Sequence, residues 1–236
     1  MIFNLYPSNS LKAACMIGLT LSLSLLALPT MADEIDNRTQ FPGRRIGGGS
    51  RGCDLDNKAL VAFVPASNLV KTTAALPEFV FALPQAKAGD PLTVNFVLQD
   101  AQGRALYQSE LTTTEEQTRI QVTPTADLEA LAVGETYNWF FSVVCSAEQT
   151  NQNPIVFGSV QRVEPEGIPV VGQQSPSFEL IQQYQAEGLW NDALITALNL
   201  EGETTDSEQM SEVLTKLIEQ ASFSLPVDPA KLMRSK

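Results

Sequence analysis

The segment TYNWFFSVVC, residues 136–145, decides the fold class because apolar side chains recur at every second position along it. Successive side chains of an extended chain point to opposite faces of a sheet. One face therefore carries an unbroken apolar row, which consists of Tyr137, Trp139, Phe141, Val143 and Cys145. Such a row is typical of a strand with one buried face. We predict a β-strand here, with Tyr137, Trp139 and Phe141 directed into the hydrophobic core.

Shorter segments of the same kind lie on both sides of this strand. They are ALVAFVP (59–65), FVFALP (79–84), PLTVNFVLQ (91–99), RALYQSEL (104–111), RIQVTP (119–124) and IVFGSVQRV (155–163). Turn signals such as DAQG separate them, and no helical periodicity intervenes. About seven short strands with this spacing predict an antiparallel β-sandwich over residues 59–163 rather than a parallel sheet.

The segment LAVGETY, residues 131–137, refines this prediction. A tyrosine at the start of a late strand, after a leucine and a glycine turn, resembles the tyrosine corner of immunoglobulin-like and fibronectin type III domains. Antibody domains place this tyrosine two residues before a cysteine, whereas Tyr137 lies eight residues before Cys145. We therefore expect Cys145 to bond to an N-terminal arm and not to link the two sheets.

Helical patterns begin after a Pro- and Gly-rich linker at 164–175. Residues 176–222 predict a helical hairpin or three-helix segment packed beside the sandwich, with Trp190 in its core. Ser175 as N-cap and Pro176 at the first helical position would start the first helix. Asp206, with a glutamine three residues later, would cap the third. Residues 223–236 are expected to form a flexible tail.

Residues 1–32 read as a secretory signal peptide. Lys12 is followed by an apolar run at 13–28, and then by small residues at Thr30 and Ala32. The apolar run is shorter than the roughly 20 residues that span a bilayer, although an uncleaved anchor remains the alternative. We expect export to the periplasm or the extracellular space, with no stable membrane span after cleavage.

Two of the three cysteines lie beyond the signal segment, Cys53 and Cys145. An even pair in an exported chain favours one disulfide over two free thiols. It would close a long loop, which stabilises the fold by roughly 4–5 kcal/mol in the chain-entropy model.

Composition excludes several functions. The net charge of −12 disfavours nucleic acid as a partner. The chain has no histidine, so Ser-His-Asp and Cys-His catalysis and His-ligated zinc are excluded. Hydrolysis by paired carboxylates, a Ser/Lys arrangement and oxygen-ligated calcium stay open, but no carboxylate pair is singled out by its spacing. No cofactor or metal site is expected.

The stretch FPGRRIGGGSRGC, residues 41–53, lies in a predicted Arg- and Gly-rich arm at 33–58. It has neither the lysine nor the strand–helix context of a phosphate-binding loop. Two interpretations remain. Arg44, Arg45 and Arg51 could form an anion or partner contact with glycine amides. Alternatively, the arm is structural, is held by Cys53, and its arginines pair loosely with acidic residues.

Several stretches together resemble the exported cyanobacterial family called domain of unknown function 928. They are PGRRIGGGSRGC, TTAALPEF, YNWFFSVVC, GSVQRV and GLWNDAL, and they span roughly Pro42 to Leu217. The matching positions include Thr72, Thr73, Arg162, Trp190 and Asp192. The resemblance implies export and a shared architecture. The family carries no assigned activity, so it supplies no mechanism.

These observations predict a sandwich followed by helices, and a non-enzymatic envelope protein that binds a protein or glycan partner. The alternative is a hydrolase that uses acidic residues only, for example one directed at glycans. Its mark would be a deep cleft with two carboxylates about 5–10 Å apart.

Overall fold

The computed structural model describes residues 43–47, 54–56, 59–115, 117–125, 127–145, 152–204 and 206–221. All of them belong to one compact unit, Arg38–Lys236. The predicted signal peptide and the predicted tail lie outside the described residues. Within those ranges, eight strands precede three helices along the chain. The strands are β1 Val61–Ala62, β2 Leu69–Thr72, β3 Phe79–Ala82, β4 Thr93–Gln99, β5 Ala105–Thr112, β6 Arg119–Val122, β7 Thr136–Val143 and β8 Ile155–Arg162. The helices are α1 Phe178–Ala186, α2 Trp190–Glu201 and α3 Ser207–Gln220.

The strands form two open sheets, with strand orders β1-β3-β6 and β2-β8-β7-β4-β5. The chain is therefore an α+β protein. Strand pairing is antiparallel in both sheets except between β2 and β8, which run parallel. The expectation of a wholly antiparallel arrangement is wrong at this edge. β2 was not predicted from the sequence, because this strand has only four residues and includes the exposed Lys71.

The hydrophobic core between the two sheets is built around β7. Trp139 and Phe141 are fully buried, as predicted. The ring of Phe141 stacks on that of Phe81 from the other sheet, with centroids 3.9 Å apart. Tyr137 is only half-buried and lies at the rim of this core. Its hydroxyl accepts a hydrogen bond from the backbone N–H of Ala132, five residues earlier in the chain, at 3.0 Å.

A second core lies on the other side of the three-stranded sheet. Phe79 and Phe81 of β3 point into the first core, while Val80 and Ala82 pack against the helices. All four residues of β3 are buried for this reason. A strand covered on both faces needs a continuous apolar run instead of an alternating one. The three helices thus form a third layer over the small sheet.

Local signals set the helix boundaries. The N-cap of α1 is Ser177, whose hydroxyl accepts from the N–H of Leu180 at 3.2 Å. The predicted start at Ser175 and Pro176 is therefore two residues early, because Ser177 is the serine placed to accept from the first turn. Gly188 follows α1 with φ +70, a conformation that glycine adopts without strain. Asp206 caps α3 by accepting from the N–H of Gln209, as predicted.

Candidate functional site

Asp192 is the single acidic or basic residue that is fully buried in the part of the chain the structure describes. It lies in the first turn of α2 and faces the end of β2. Its Oδ1 accepts from the hydroxyl of Thr72 at 2.6 Å. Its Oδ2 accepts from the backbone N–H and the hydroxyl of Thr73, both at 2.8 Å. We call these three residues the Asp192 cluster.

The two threonine hydroxyls are fixed in the orientation that the carboxylate needs. Thr72 Oγ1 accepts from the N–H of Ala74 at 3.1 Å, and Thr73 Oγ1 accepts from the N–H of Val171 at 2.9 Å. Each hydroxyl therefore accepts from backbone and keeps its own proton to donate to Asp192. The cluster joins the edge of the large sheet, the segment before α1 and the start of α2.

Two opposing effects act on the protonation of Asp192. Burial raises the pKa of its carboxyl group, while the hydrogen bonds from Thr72 and Thr73 lower it. Burial is the larger effect, so the pKa of Asp192 is raised above its ordinary value. Burial and, secondarily, the negative charge of Asp192 also raise the pKa of the nearby Tyr184 to about 12.

Side chains around the Asp192 cluster make further hydrogen bonds to backbone carbonyls. Tyr184 donates from its hydroxyl to the carbonyl of Pro169 at 3.0 Å, inside the predicted 164–175 linker. Trp190, which is buried as predicted, donates from Nε1 to the carbonyl of Leu217 at 2.7 Å. These contacts tie the helices to each other and to the preceding segment. Asp192 has no exposed surface, so it cannot reach a substrate and acts as a structural acceptor.

A pocket of about 420 Å³ lies beside β2, and we call it the edge pocket. Its wall combines one side of the β2 region with the start of α2 and the end of α3, and includes Pro65, Leu69, Lys71, Gly188, Trp190 and Ala221. Lys71 is exposed, and its side chain has no hydrogen-bond or ion-pair partner among the described residues. None of the described residues that line this pocket is an aspartate or glutamate, although the chain as a whole has 27 acidic and 15 basic residues.

A second pocket of about 530 Å³ lies where the β4–β5 turn meets the segment before β7, and we call it the loop pocket. Its wall includes Asp100, Arg104, Asp127, Glu129, Glu135 and Tyr137. Asp100 accepts from the backbone and side chain of Arg104, and these bonds lower the pKa of Asp100. Asp127, Glu129 and Glu135 are exposed to solvent.

The arginines of the predicted arm have different environments. The backbone of Arg44 pairs with Phe157 of β8, and its side chain is exposed. Arg45 is half-buried, and its Nη1 donates to the carbonyl of Ala221, the C-cap of α3, at 2.5 Å. A cation at the C-terminus of a helix stabilises it. Arg45 therefore contacts a helix end within the fold, and Arg51, the third predicted contact residue, lies outside the described residues.

The predicted disulfide falls partly outside the described residues. Cys145 follows β7 and is half-buried. Its N–H donates to Asn153 Oδ1 at 2.9 Å. Cys53, the predicted partner, is not among the described residues, so this pairing stays a prediction.

The described residues hold neither a cluster of metal-binding side chains nor a helix that could span a membrane. No group of three or more cysteine, aspartate or glutamate residues in those ranges could hold a metal ion. None of the helices in the same ranges is long and apolar enough to cross a membrane.

Sequence reasoning missed the role of the Asp192 cluster. The family resemblance named Thr72, Thr73 and Asp192 but gave them no function. The available signal was an aspartate next to the apolar run of α2, with no basic residue near it in sequence. An acidic residue in such a position is buried only when donors satisfy it.

The structure defines an α+β protein in which two open, mostly antiparallel sheets carry a layer of three helices. The chain belongs to the family described as Domain of Unknown Function (DUF928), whose family model matches residues 46–229. Among solved structures, the crystal structure of CopC from Methylosinus trichosporium OB3b is similar to part of the chain. It has 16% sequence identity and a TM-score of 0.26, and the match covers 41% of this chain and 87% of that chain. No curated protein sequence matches the chain.

Proposed function

We propose that this protein is an exported, non-enzymatic binding module that engages a protein or glycan of the cell envelope. The observation that carries the proposal is the environment of Asp192. The one buried carboxylate of the described residues is saturated by three hydrogen-bond donors and has no access to solvent. A general acid or base must reach the proton that it transfers. The chain uses this carboxylate to hold α2 on the sheet instead.

The edge pocket supports binding as the activity. It is open to solvent and combines apolar side chains with the ammonium group of Lys71, which has no partner among the described residues. It lies between β2 of the large sheet and the ends of α2 and α3. Ligand sites are commonly concave and mostly apolar, with a few polar groups that orient the ligand.

The alternative is the hydrolase that uses acidic residues, and the loop pocket is the observation in its favour. Asp127, Glu129 and Glu135 lie on its wall. These carboxylates are exposed, whereas the general acid of a glycosidase is held in an apolar environment. The loop pocket therefore fits a hydrolase less well than the edge pocket fits a binding module.

The immunoglobulin-like or fibronectin III-like form of the sandwich belongs to the same proposal. The hydrogen bond from Ala132 to the Tyr137 hydroxyl supports it, as does a core shared by both sheets. The parallel pairing of β2 with β8 would be a local departure from that fold.

The proposal also includes export by a cyanobacterium, with cleavage of residues 1–32. It further includes a disulfide bond between Cys53 and Cys145. The family resemblance and the apolar N-terminal run support export. Intact mass of the protein recovered from the periplasm or medium tests both points. We expect a chain that begins after Ala32 and carries two hydrogens fewer than its reduced form. A full-length mass in the membrane fraction contradicts cleavage, and free thiols contradict the bond.

A paired assay separates binding from hydrolysis. The mature protein is incubated with purified envelope polysaccharide and, separately, with solubilised envelope proteins. We expect saturable retention of one fraction and no new reducing ends in the polysaccharide. Release of reducing ends that is lost in the Glu129→Gln or Glu135→Gln variant would establish the hydrolase instead.

A further inference from the structure

We infer that the open edge of β2, together with the edge pocket, binds an extended acidic segment of a partner protein as an added β-strand. This inference rests on the proposed binding function and names the partner class. It also makes Lys71 the residue that determines specificity.

The hydrogen-bonding pattern of β2 leaves alternate backbone groups unused. The carbonyls of Asn68 and Thr72 accept from the N–H groups of Ser159 and Val163 on the β8 side. The N–H and C=O groups of one residue point to the same side of a strand, and the side alternates along the chain. The even-numbered residues of β2 therefore face β8, and Leu69 and Lys71 direct their backbone groups to the open edge.

No strand among the described residues pairs with Leu69 or Lys71 on that side, and the next outward N–H, that of Thr73, donates to Asp192 of α2 at 2.8 Å. β2 is the terminal strand of the five-stranded sheet. The arm also contacts β8, but it does so at Phe157, before the stretch that β2 occupies. The N–H and the carbonyl of Leu69 have only long contacts with the Ser67 hydroxyl, at 3.3 and 3.4 Å. An exposed edge with unpaired N–H and C=O groups is a template for an added strand.

Backbone hydrogen bonds at the edge of β2 would accept any extended strand. The side chains of the edge pocket add a preference for one kind of side chain on the partner strand. Leu69 and Trp190 offer apolar surface, and Lys71 offers an unpaired ammonium group. None of the described lining residues is acidic, so none of them compensates this charge. A carboxylate on the added strand would pair with Lys71, while a basic side chain would be repelled. Complementary charge of this kind selects partners more than it adds affinity.

The experiment measures binding of fluorescein-labelled peptides of about nine residues to the mature protein by fluorescence polarisation. The acidic probe alternates valine with threonine and carries two glutamates. A basic probe has lysines at those two positions. A third probe keeps the glutamates but is N-methylated at two valines, which removes the N–H groups that a strand donates.

We expect the acidic probe to bind saturably, with a Kd below about 1 mM, and to bind more weakly as salt is added. Lys71→Ala should weaken it about two- to fivefold, the usual effect of one exposed ion pair. Lys71→Pro should weaken it about tenfold more, because it removes one outward N–H and leaves the ladder with β8 intact. The control Lys87→Ala, at an exposed lysine paired with Asp54, should have no effect.

The results that overturn the inference are equally specific. Equal binding of the basic probe refutes the role of Lys71, and equal binding of the N-methylated probe refutes strand addition. The N-methylated probe tests strand addition even if Lys71→Pro fails to fold. If no probe binds while envelope polysaccharide is retained, the inference is wrong and the proposed binding function stands. If the protein retains neither and cleaves polysaccharide, the proposed function itself is wrong.

Discussion

Replacing Asp192 by alanine removes the acceptor of three buried donors at once. The N–H of Thr73 cannot reorient, and the hydroxyls of Thr72 and Thr73 are already held by backbone donors. Each buried donor left without a partner costs about 1–3 kcal/mol. Burial disfavours the charged form of Asp192 and raises its pKa. The substitution removes this cost of burying a charge, which offsets part of the loss. We expect a net loss of about 3 kcal/mol in the free energy of unfolding.

The loss should be visible in thermal unfolding followed by circular dichroism. For a chain of this size about 3 kcal/mol lowers the Tm by roughly 6–12 °C. Glu187→Ala, at an exposed position after α1, is the control and should change stability by less than about 0.5 kcal/mol. A Tm for Asp192→Ala within about 2 °C of wild type would refute the claim that Asp192 holds the helices on the sheet.

The pH dependence of stability tests the same carboxylate by another route. Because the pKa of Asp192 is raised in the folded state, the folded protein binds this proton more tightly than the unfolded chain does. The contribution of Asp192 is therefore largest below its ordinary pKa and is lost as pH rises through its folded pKa. Asp192→Asn cannot titrate. Wild type should gain stability relative to this variant on acidification through that window, and a constant difference would contradict the raised pKa.

Two further predictions concern close packing and the arm. Gly158→Ala should destabilise the fold by about 2 kcal/mol or more, measured by urea unfolding. An added methyl would lie 2.6 Å from the ring of Trp139, and an unchanged midpoint would show that this approach is not as tight as the structure has it. Arg45→Ala should cost about 1 kcal/mol because the C-cap of α3 loses its cation and hydrogen bond. Arg44→Ala, at an exposed side chain, should cost less than about 0.5 kcal/mol, and equal losses would contradict the difference between the two arginines.

The elements that depend on neighbouring residues alone, through apolar alternation or helix capping, could be predicted from the sequence. The alternation in 136–145 gave β7 and its buried face, since period-two burial is a property of a single strand. The capping signal at Asp206 gave the start of α3. The segment FVFALP indicated a strand but not its place between two cores, because a short apolar run does not show which layers will cover it.

The parts that depend on distant contacts were not predictable. Asp192 meets Thr72 and Thr73 across separations of 120 and 119 residues, and no periodicity reports such a pairing. The resemblance named the same residues without a reason for them. The sequence left Arg45 open between an anion or partner contact and a structural role in the arm. The carbonyl of Ala221, to which its Nη1 donates, is 176 residues away along the chain.

The most direct test of a binding edge at β2 is amide hydrogen exchange of the mature protein, measured residue by residue by NMR. The N–H of Val70 points to β8 and that of Lys71 points to the open edge. We expect strong protection at Val70 and exchange close to the unprotected rate at Lys71, with protection of Lys71 appearing when the acidic peptide is added. Protection of Lys71 in the free protein, or no change on adding saturating peptide, would contradict the proposal that this edge receives a partner strand.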